Sequence, residues 1–461
     1  MLGRTRHAHF VGIGGIGMSG IAELLLNLGF GVSGSDARAT DITARLRTLG
    51  ATIHEGHSGT HVAGTDVVVI SAAVRADNPE VVEAQRRGIP VIARAEMLAE
   101  LMRLKFSIAV AGAHGKTTTT SMIAVVLERA GLDPTAVIGG RLSAFGSNAR
   151  LGRGEYLVTE ADESDRSFLL LWPTLAVITN IDHEHMESYG SFASLCDAFL
   201  EFANKTPFYG GVVACADDPH VAAMVPQLRR KAMTYGLDRE ADVTATDIEL
   251  GPFGVRATVH HGGSTLGPLA LKVPGRHNLL NALAAVSVAL TLGVPFADIA
   301  AGLAAFQGAE RRFQHCGEAG GVLVIDDYGH HPTEVRAVLA AAQTALDRRI
   351  LVLFQPHRYS RTAYLLDDFG PAFLGADEVV LTDIYAAGED PIPGITVDAL
   401  AASMRRAGVP VTVAASLADA TSEVVKRARP GDAVITLGAG SIGSVPARLL
   451  ERLAAGTGGH A

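Results

Sequence analysis

Short runs of β-branched residues alternate with longer runs rich in alanine and leucine along most of this chain. Such alternation is typical of βαβ units, in which helices connect parallel strands. It predicts a strand over 7–13, a helix over 18–28 and a strand over 31–35, and a new strand–loop–helix unit from Ser107. Residues 242–273 differ, because short alternating segments separated by Gly and Pro turns predict an antiparallel meander.

The length of 461 residues corresponds to about three domains. A linker is predicted at 101–106, and strand–helix alternation resumes after a second boundary near 307–312. The pattern therefore predicts an α/β fold of three domains. These are an N-terminal Rossmann-like domain over 1–100, a central α/β domain with an antiparallel meander over 101–308, and a C-terminal Rossmann-like domain over 309–461.

Composition excludes several classes of protein. The net charge is −9 and no block of Lys and Arg is present, which argues against a nucleic-acid or anionic-membrane surface. Three scattered cysteines without a CxxC suit a reducing compartment and suggest neither a disulfide framework nor a zinc site. Glycine interrupts the N-terminus before a signal-type core forms, and the apolar stretch 282–296 is too short to span a bilayer. We expect a cytoplasmic monomer or homodimer.

The first glycine-rich segment, GIGGIG at 12–17, follows a predicted strand and precedes a predicted helix. It matches the GxGxxG fingerprint, in which glycines let the backbone approach a pyrophosphate at a helix N-terminus. Asp36 ends the next strand, where a carboxylate usually meets a ribose hydroxyl. These features predict a ligand with a diphosphate and a ribose, such as NAD or another nucleotide. The alternative is a turn that only packs a helix on a sheet.

The second glycine-rich segment is GAHGKTTT at 112–119. A strict P-loop has four residues between its glycines, whereas this segment has two, but the chemical groups remain. Lys116, one of only six lysines, suits the β- and γ-phosphates of a nucleotide, and Thr117 suits Mg²⁺. We expect this segment to bind phosphate, which makes the central domain over 101–308 a P-loop-type ATPase domain.

Acids and histidines follow the next two predicted strands. Four acids lie within residues 160–165, and carboxylates at a strand end beside a phosphate loop are candidate Mg²⁺ ligands. The alternative is a solvated acidic turn. His183 and His185 lie within NIDHEHM, and either could contact a second Mg²⁺ or a substrate oxygen. No cysteine is close enough to complete a zinc site.

Nine segments in this order make the chain resemble the Mur ligase family: GIGGIGM, GAHGKTTT, TEADESD, NIDHEHM, PGRHNLLNALAA, GAERRFQ, DDYGHHPTE, QPHRYSRT and DIYAAGEDPIPG. The last three resemble the alanine-adding member most. The resemblance implies ATP-dependent amide formation in peptidoglycan precursor synthesis. The lactyl carboxylate of UDP-N-acetylmuramate would attack the γ-phosphate of ATP, and the amino group of L-alanine would then attack the acyl phosphate.

The resemblance also implies site residues. Nucleotide contacts would come from the second glycine segment, the helix after the meander and the domain junction: Gly112, Ala113, His114, Gly115, Lys116, Thr117, Thr118, His277, Asn281 and Arg312. The Mg²⁺ ligands would be Thr117, Glu160 and His185. Substrate contacts would be Gly14, Gly15, Asp36, Ser71, Tyr328, His330, Arg358 and Arg361. The residues directly engaged in catalysis would be Lys116, His185, Arg312, His330, Arg358 and Arg361.

Two positions depart from the family pattern. Ala113 replaces the usual Thr, and Glu184 precedes His185 where the family commonly has Asp. The second departure leaves the choice between His183 and His185 open, although the following Met186 favours His185. Two other functions are considered: a related ligase that adds a recovered murein peptide to the same sugar nucleotide, and an NAD-dependent oxidoreductase. The oxidoreductase would leave GAHGKTTT and the acidic cluster unused. A binding module without turnover is disfavoured by the presence of two anion-binding loops together with a metal cluster.

Overall fold

The computed structural model describes residues 5–71, 73–142, 147–252 and 254–457. The chain forms two compact units, the first comprising residues 1–246, 258–269 and 280–306. The second unit comprises residues 247–257, 270–279 and 307–461. Among the described helices, none combines the length and the hydropathy needed to cross a membrane.

The first sheet has five parallel strands in the order β3-β2-β1-β4-β5. Its strands are β1 (His7–Val11), β2 (Gly31–Asp36), β3 (Thr52–Glu55), β4 (Val67–Ile70) and β5 (Val91–Ala93). Its helices are α1 (Ile16–Asn27), α2 (Asp41–Thr48), α3 (Pro79–Arg86) and α4 (Arg94–Met102). The chain leaves β1 toward one edge and returns to β4 on its other side, and such a reversal opens a crevice at the carboxyl ends of the strands. The first glycine segment lies at this end.

The second sheet has ten strands in the order β15-β14-β13-β12-β11-β10-β6-β9-β7-β8. Its strands are β6 (Phe106–Ala111), β7 (Thr135–Leu142), β8 (Ser147–Arg150), β9 (Tyr156–Glu160), β10 (Leu175–Ile178), β11 (Gly211–Cys215), β12 (Ala232–Tyr235), β13 (Val243–Gly251), β14 (Gly254–His261) and β15 (Ser264–Leu271). In the central run β12-β11-β10-β6-β9-β7, each strand is parallel to its neighbour, whereas β8 at the edge is antiparallel to β7. Consecutive strands β13 to β15 end the sheet, as expected for a meander.

Six helices follow the strands of this region: α5 (Lys116–Arg129), α6 (Met186–Tyr189), α7 (Phe192–Ala203), α8 (Pro219–Met224), α9 (Arg276–Thr291) and α10 (Phe296–Ala305). Helix α5 is unusual because every residue from Thr118 to Leu127 is buried, including its hydroxyl residues. It packs closely on α10, where a Cβ at Gly302 would lie 2.8 Å from Val126 Cα. A helix buried on all sides is held rigidly, which suits an element whose first turn presents a ligand loop.

The third sheet has six strands in the order β16-β17-β21-β18-β19-β20, with only β16 antiparallel to its neighbour. Its strands are β16 (Gln314–Ala319), β17 (Val322–Asp327), β18 (Ile350–Phe354), β19 (Glu378–Leu381), β20 (Val411–Val413) and β21 (Ala433–Leu437). Its helices are α11 (Pro332–Ala345), α12 (Tyr359–Tyr364), α13 (Phe369–Ala372), α14 (Val397–Arg406), α15 (Leu417–Arg427) and α16 (Val445–Thr457). The predicted three-domain α/β fold is confirmed, while the exact domain limits remain a prediction.

Candidate active site

The second glycine segment connects β6 to α5 and needs glycine at two positions. Gly112 has φ +139°, and a Cβ there would lie 2.0 Å from Thr179 Oγ1. Gly115 has φ +82°, and a Cβ there would lie 2.5 Å from Asn281 Oδ1. A side chain at either position would be strained and would also collide with a neighbour. Because Gly115 is left-handed and acts as the N-cap, α5 begins at Lys116.

The end of β10 fixes this glycine segment from the side. The backbone N–H of His114 donates to Asn180 Oδ1 at 2.8 Å, and Thr179 Oγ1 donates to the His114 carbonyl at 2.7 Å. His114 Nε2 lies 2.9 Å from Asp182 Oδ2, and the N–H of Ala113 donates to the Asn180 carbonyl. These contacts with the residues after β10 hold the loop in shape, which lowers the cost of binding a ligand.

Lys116 supplies the cation of the loop. Its Nζ donates to the Gly112 carbonyl at 2.5 Å and to Glu163 Oε1 at 2.8 Å. Burial lowers the pKa of Lys116, but the carboxylates of Glu163 and Asp162 outweigh burial and raise that pKa above its ordinary value. Burial raises the pKa of Glu163 to about 7, although the Lys116 charge opposes that shift. Lys116 therefore stays positively charged over the loop.

A cluster of metal-ligand type lies next to Lys116. The ligand atoms of Glu163, Glu184 and His185 lie within 4.8 Å of one another. His185 precedes α6 with φ +58°, whereas the ring of His183 stacks on Phe192 at 3.9 Å between centroids. The geometry therefore favours His185 over His183 as a ligand. Carboxylate oxygens with one imidazole fit a divalent cation such as Mg²⁺ or Mn²⁺.

The other predicted nucleotide and metal residues of this region lie around the same loop. Thr117 and Thr118 occupy the first turn of α5, with Thr118 buried and Thr117 half-buried. Glu160 is half-buried and ends β9, the strand beside β6, but it is outside the three-residue cluster. Asn281 on α9 accepts a hydrogen bond from Thr119 Oγ1 at 3.3 Å. Glu163 and Glu184 were not predicted as individual ligands, although Glu163 belongs to the acidic segment 160–165 and Glu184 to NIDHEHM.

The first glycine segment is tied to the end of β2. The N–H groups of Gly12 and Ile13 both donate to the Ser35 carbonyl, at 2.8 and 3.0 Å. The N–H of Gly14 donates to Asp36 Oδ2 at 2.9 Å, and a Cβ at Gly14 would lie 2.8 Å from that oxygen. Gly15 is the N-cap of α1. Asp36, predicted to contact a ribose, thus also holds the loop that precedes α1.

Ser71, the last predicted residue of this region, directly follows β4 and is half-exposed. Its carbonyl accepts a hydrogen bond from the Val74 N–H at 3.0 Å. Because β1 and β4 are neighbours, Ser71 and the first glycine segment follow adjacent strand ends. The four predicted sugar-nucleotide positions therefore all lie at the carboxyl end of the first sheet.

A buried carboxylate behind this loop was not anticipated from the sequence. The Glu80 side chain is fully buried and accepts hydrogen bonds from Ser35 Oγ at 2.6 Å and from the ring nitrogens of His57 and His61 at 3.1 and 2.7 Å. Burial would raise the pKa of Glu80, but bonds from these groups and from His9 lower it to about 2. Three histidines within residues 54–61 were the available signal.

In the second unit, the predicted residues around Tyr328 form one cluster. The Arg312 guanidinium lies 5.3 Å from the centre of the Tyr328 ring and its Nη1 lies 3.4 Å from Glu334 Oε1. His330 Nδ1 lies 2.9 Å from the Tyr328 carbonyl. His277, at the start of α9, is half-buried, and desolvation of its ring together with the Arg312 charge lowers its pKa to about 4. The ring of His277 is therefore neutral at pH 7.

His357, which was not selected from the sequence, connects the predicted Arg361 to His330. Arg361 Nη1 lies 3.1 Å from His357 Nδ1, and the rings of His330 and His357 are 5.5 Å apart. Burial and the charges of His330, Arg361 and Arg358 lower the pKa of His357 to about 3. Arg358 has φ +70° and its Nη1 lies 3.6 Å from Glu389 Oε1. A neutral imidazole can accept from Arg361 and orient its guanidinium.

Three models of known protein families match most of the chain. Residues 7–106 match the model described as "Mur ligase family, catalytic domain", residues 110–289 match "Mur ligase middle domain", and residues 311–440 match "Mur ligase, glutamate ligase domain".

Full-length relatives and solved structures are also similar. UDP-N-acetylmuramate–L-alanine ligase of Geotalea uraniireducens (strain Rf4) is 56% identical over 98% of this chain and 99% of its own length. The protein of the same name from Syntrophobacter fumaroxidans is 53% identical over 100% and 99%. The crystal structure of UDP-N-acetylmuramate-alanine ligase from Thermotoga maritima has a TM-score of 0.82 at 32% identity, covering 98% and 99%. A murein peptide ligase from Psychrobacter arcticus has a TM-score of 0.72 at 25% identity, covering 97% and 99%.

Proposed function

This chain belongs to the Mur ligase family, and from that premise we propose that it joins L-alanine to the lactyl carboxylate of UDP-N-acetylmuramate in an ATP-dependent reaction of peptidoglycan precursor synthesis. The observation that carries this proposal is the similarity, at 53% to 56% identity over essentially the full length, to ligases of that name. The anchored, lysine-containing phosphate loop agrees with an ATP-dependent ligase. An NAD-dependent oxidoreductase would leave that loop without a use.

The reaction requires two transfers. An oxygen of the lactyl carboxylate attacks the γ-phosphorus of ATP, the bond to the β-phosphate oxygen breaks, and ADP leaves. The amine of L-alanine, after losing a proton, then attacks the acyl carbon and expels inorganic phosphate as the amide forms. Water must be excluded meanwhile, because an acyl phosphate hydrolyses readily.

Lys116 and the N–H groups of residues 112–118 are our candidates for binding the ATP phosphates. The Lys116 ammonium would stabilise the negative charge on the transferring phosphoryl group. His277 and Asn281 would contact the adenine, and Arg312 a phosphate. In the first sheet, Gly14, Gly15, Asp36 and Ser71 would hold the uridine diphosphate.

Mg²⁺ is our proposed cofactor, because the described residues fit it. Thr117, Glu160 and His185 were predicted as its ligands, and the cluster of Glu163, Glu184 and His185 supplies hard oxygens beside Lys116. When bound, the cation would neutralise charge on the ATP phosphates and on the entering carboxylate. Glu163 already orients Lys116, so one carboxylate would serve both the cation and the lysine.

Tyr328, His330, Arg358 and Arg361 are our candidates for contacts with the amino acid and the acyl phosphate. Guanidinium groups donate pairs of hydrogen bonds to planar or multi-oxygen anions, and both the alanine carboxylate and the acyl phosphate are such anions.

We also propose the domain limits 1–100, 101–308 and 309–461. Since ATP and UDP-sugars are cytoplasmic metabolites, we propose that location as well, with a monomer or homodimer as the active species.

Phosphate release from ATP tests this function directly. Release is measured with UDP-N-acetylmuramate while L-alanine, L-serine, glycine or the tripeptide L-alanyl-γ-D-glutamyl-meso-diaminopimelate is varied. We expect rapid release with L-alanine and little with the tripeptide. Release with the tripeptide but not with L-alanine would assign the chain to the peptide-adding relatives instead. No release with any combination would refute the ligase proposal.

A further inference from the structure

The third glycine of the first segment makes room for an arginine. Gly17 lies in the first turn of α1, and a Cβ there would lie 2.1 Å from Arg94 Nη1 and 3.2 Å from Arg94 Cζ. The Arg94 guanidinium therefore lies directly against the Gly17 backbone, in the space that any side chain would fill. Glycine at this position is usually explained by close packing of the helix on a strand, whereas here an arginine from the start of α4 occupies that space.

The first glycine segment itself contains no cationic side chain. Its backbone N–H groups and the N-terminus of α1 provide only partial positive charge, whereas a diphosphate carries at least two negative charges. A guanidinium supplies a full charge and donors in a fork that matches phosphate oxygens. The Arg94 side chain is 31% exposed and is therefore accessible to a ligand.

The ion pair between Arg94 and Asp162 is weak. Arg94 Nη2 lies 3.6 Å from Asp162 Oδ2, which is longer than a charge-assisted hydrogen bond. Asp162 belongs to the acidic segment after β9 and also raises the pKa of Lys116. Arg94 therefore lies between the first glycine segment and the acidic segment that follows β9. An incoming phosphate could replace Asp162 as the partner of Arg94 there.

We propose that Arg94 binds the diphosphate of the sugar nucleotide and that Gly17 is glycine in order to admit the Arg94 guanidinium to the first turn of α1. This assignment rests on the proposed function, because it takes UDP-N-acetylmuramate as the ligand of the first sheet. It adds a charged residue to a site that the sequence motif describes only through its glycines and Asp36.

Calorimetric titration with UDP tests the assignment on an intact chain. Loss of one charge-assisted phosphate contact is expected to weaken UDP binding about 10- to 100-fold in R94A, with R94K intermediate because lysine keeps the charge but not the fork. The matched control is R103A, since Arg103 follows the same helix, is more exposed and pairs only with Glu100 among the described contacts. R103A is expected to bind UDP within twofold of the wild type, and ATP binding should be unchanged in R94A.

A double-mutant cycle tests the link between the two residues. In G17A the new methyl group displaces the guanidinium, so we expect weaker UDP binding when Arg94 is present and a much smaller effect of G17A in the R94A background.

Three outcomes are decisive. Equal UDP binding by R94A and the wild type would overturn the role of Arg94, and additive effects of R94A and G17A would overturn the role of Gly17. A wild-type chain that binds neither UDP nor UDP-N-acetylmuramate would instead refute the proposed function.

Discussion

Replacing Glu80 with glutamine removes the one charge at the centre of the network behind the first glycine segment. The carboxylate is fully buried and receives hydrogen bonds from Ser35, His57 and His61. The backbone carbonyl of Ser35 in turn accepts a hydrogen bond from the Gly12 N–H at 2.8 Å, so the network supports the turn that follows β1. E80Q keeps the shape of the side chain but loses its charge.

The size of the effect follows from the pKa of Glu80, which is lowered from its ordinary value of 4.5 to about 2. The difference of about 2.5 units, at 1.36 kcal/mol per unit, gives about 3 kcal/mol of stabilisation. Because the pKa is lower in the folded state, this contribution is complete above about pH 5 and is lost as the pH falls from 4.5 toward 2. E80Q should therefore be less stable than the wild type by about 3 kcal/mol at pH 7 and by only about 1 kcal/mol at pH 3.

Urea unfolding followed by circular dichroism at pH 7, 5 and 3 measures this difference. Hydrogen exchange of peptides covering β1 and β2 locates the loss, since a chain of several domains need not unfold in one step. The control is E83Q, one turn further along α3. The pKa of Glu83 is also lowered to about 2, by hydrogen bonds from Arg86 and Arg87, but that carboxylate is partly exposed and both arginines are more exposed than it is. Solvent screens such pairs, so E83Q should have a much smaller effect.

Two results would refute this reasoning about Glu80. One is a difference below about 1 kcal/mol at pH 7, which would mean that glutamine satisfies the network as well as the carboxylate does. The other is a difference that is equal at pH 7 and pH 3, because a titrating group cannot give a pH-independent contribution across its own transition.

The remaining predictions concern activity. Lys116→Ala should abolish ATP-dependent phosphate release while the circular dichroism spectrum stays that of the wild type, and an active variant would contradict the assignment of the loop. His185→Ala should raise the Mg²⁺ concentration needed for half-maximal activity about tenfold or more, whereas His183→Ala should leave it near the wild-type value, because His183 stacks on Phe192 outside the cluster. Arg361→Ala should raise the KM for L-alanine much more than the KM for ATP, and equal changes in both would remove Arg361 from the amino-acid site.

The sequence was sufficient for the fold class and for the two glycine segments. Strand and helix periodicity is a local property of the sequence, and so is the presence of the turn-forming residues that end an element. Gly12 has φ +77° and ends β1 at Val11, two residues before the predicted limit, because a left-handed residue cannot continue a strand. Local signals therefore located each loop to within a residue or two.

Side-chain partners were less accessible from sequence. In the NIDHEHM segment only the following Met186 favoured His185 over His183. The structure separates the two rings, because His183 packs on Phe192 whereas His185 lies beside Glu163 and Glu184. His357 lies within QPHRYSRT, yet its contact with His330 depends on how separate elements of the third sheet pack together.

The sequence by itself determined where the backbone must turn, where it carries glycine and which residue types stand near each turn, because these follow from the chain's local pattern. The tertiary structure alone decided which distant groups meet: Glu80 with Ser35 and His61, and Arg94 with Gly17. The physical reason is that a buried charge or a guanidinium is positioned by the strand order and by the helices packed on the sheet. Those arrangements bring together residues that are between 19 and 77 positions apart in the chain.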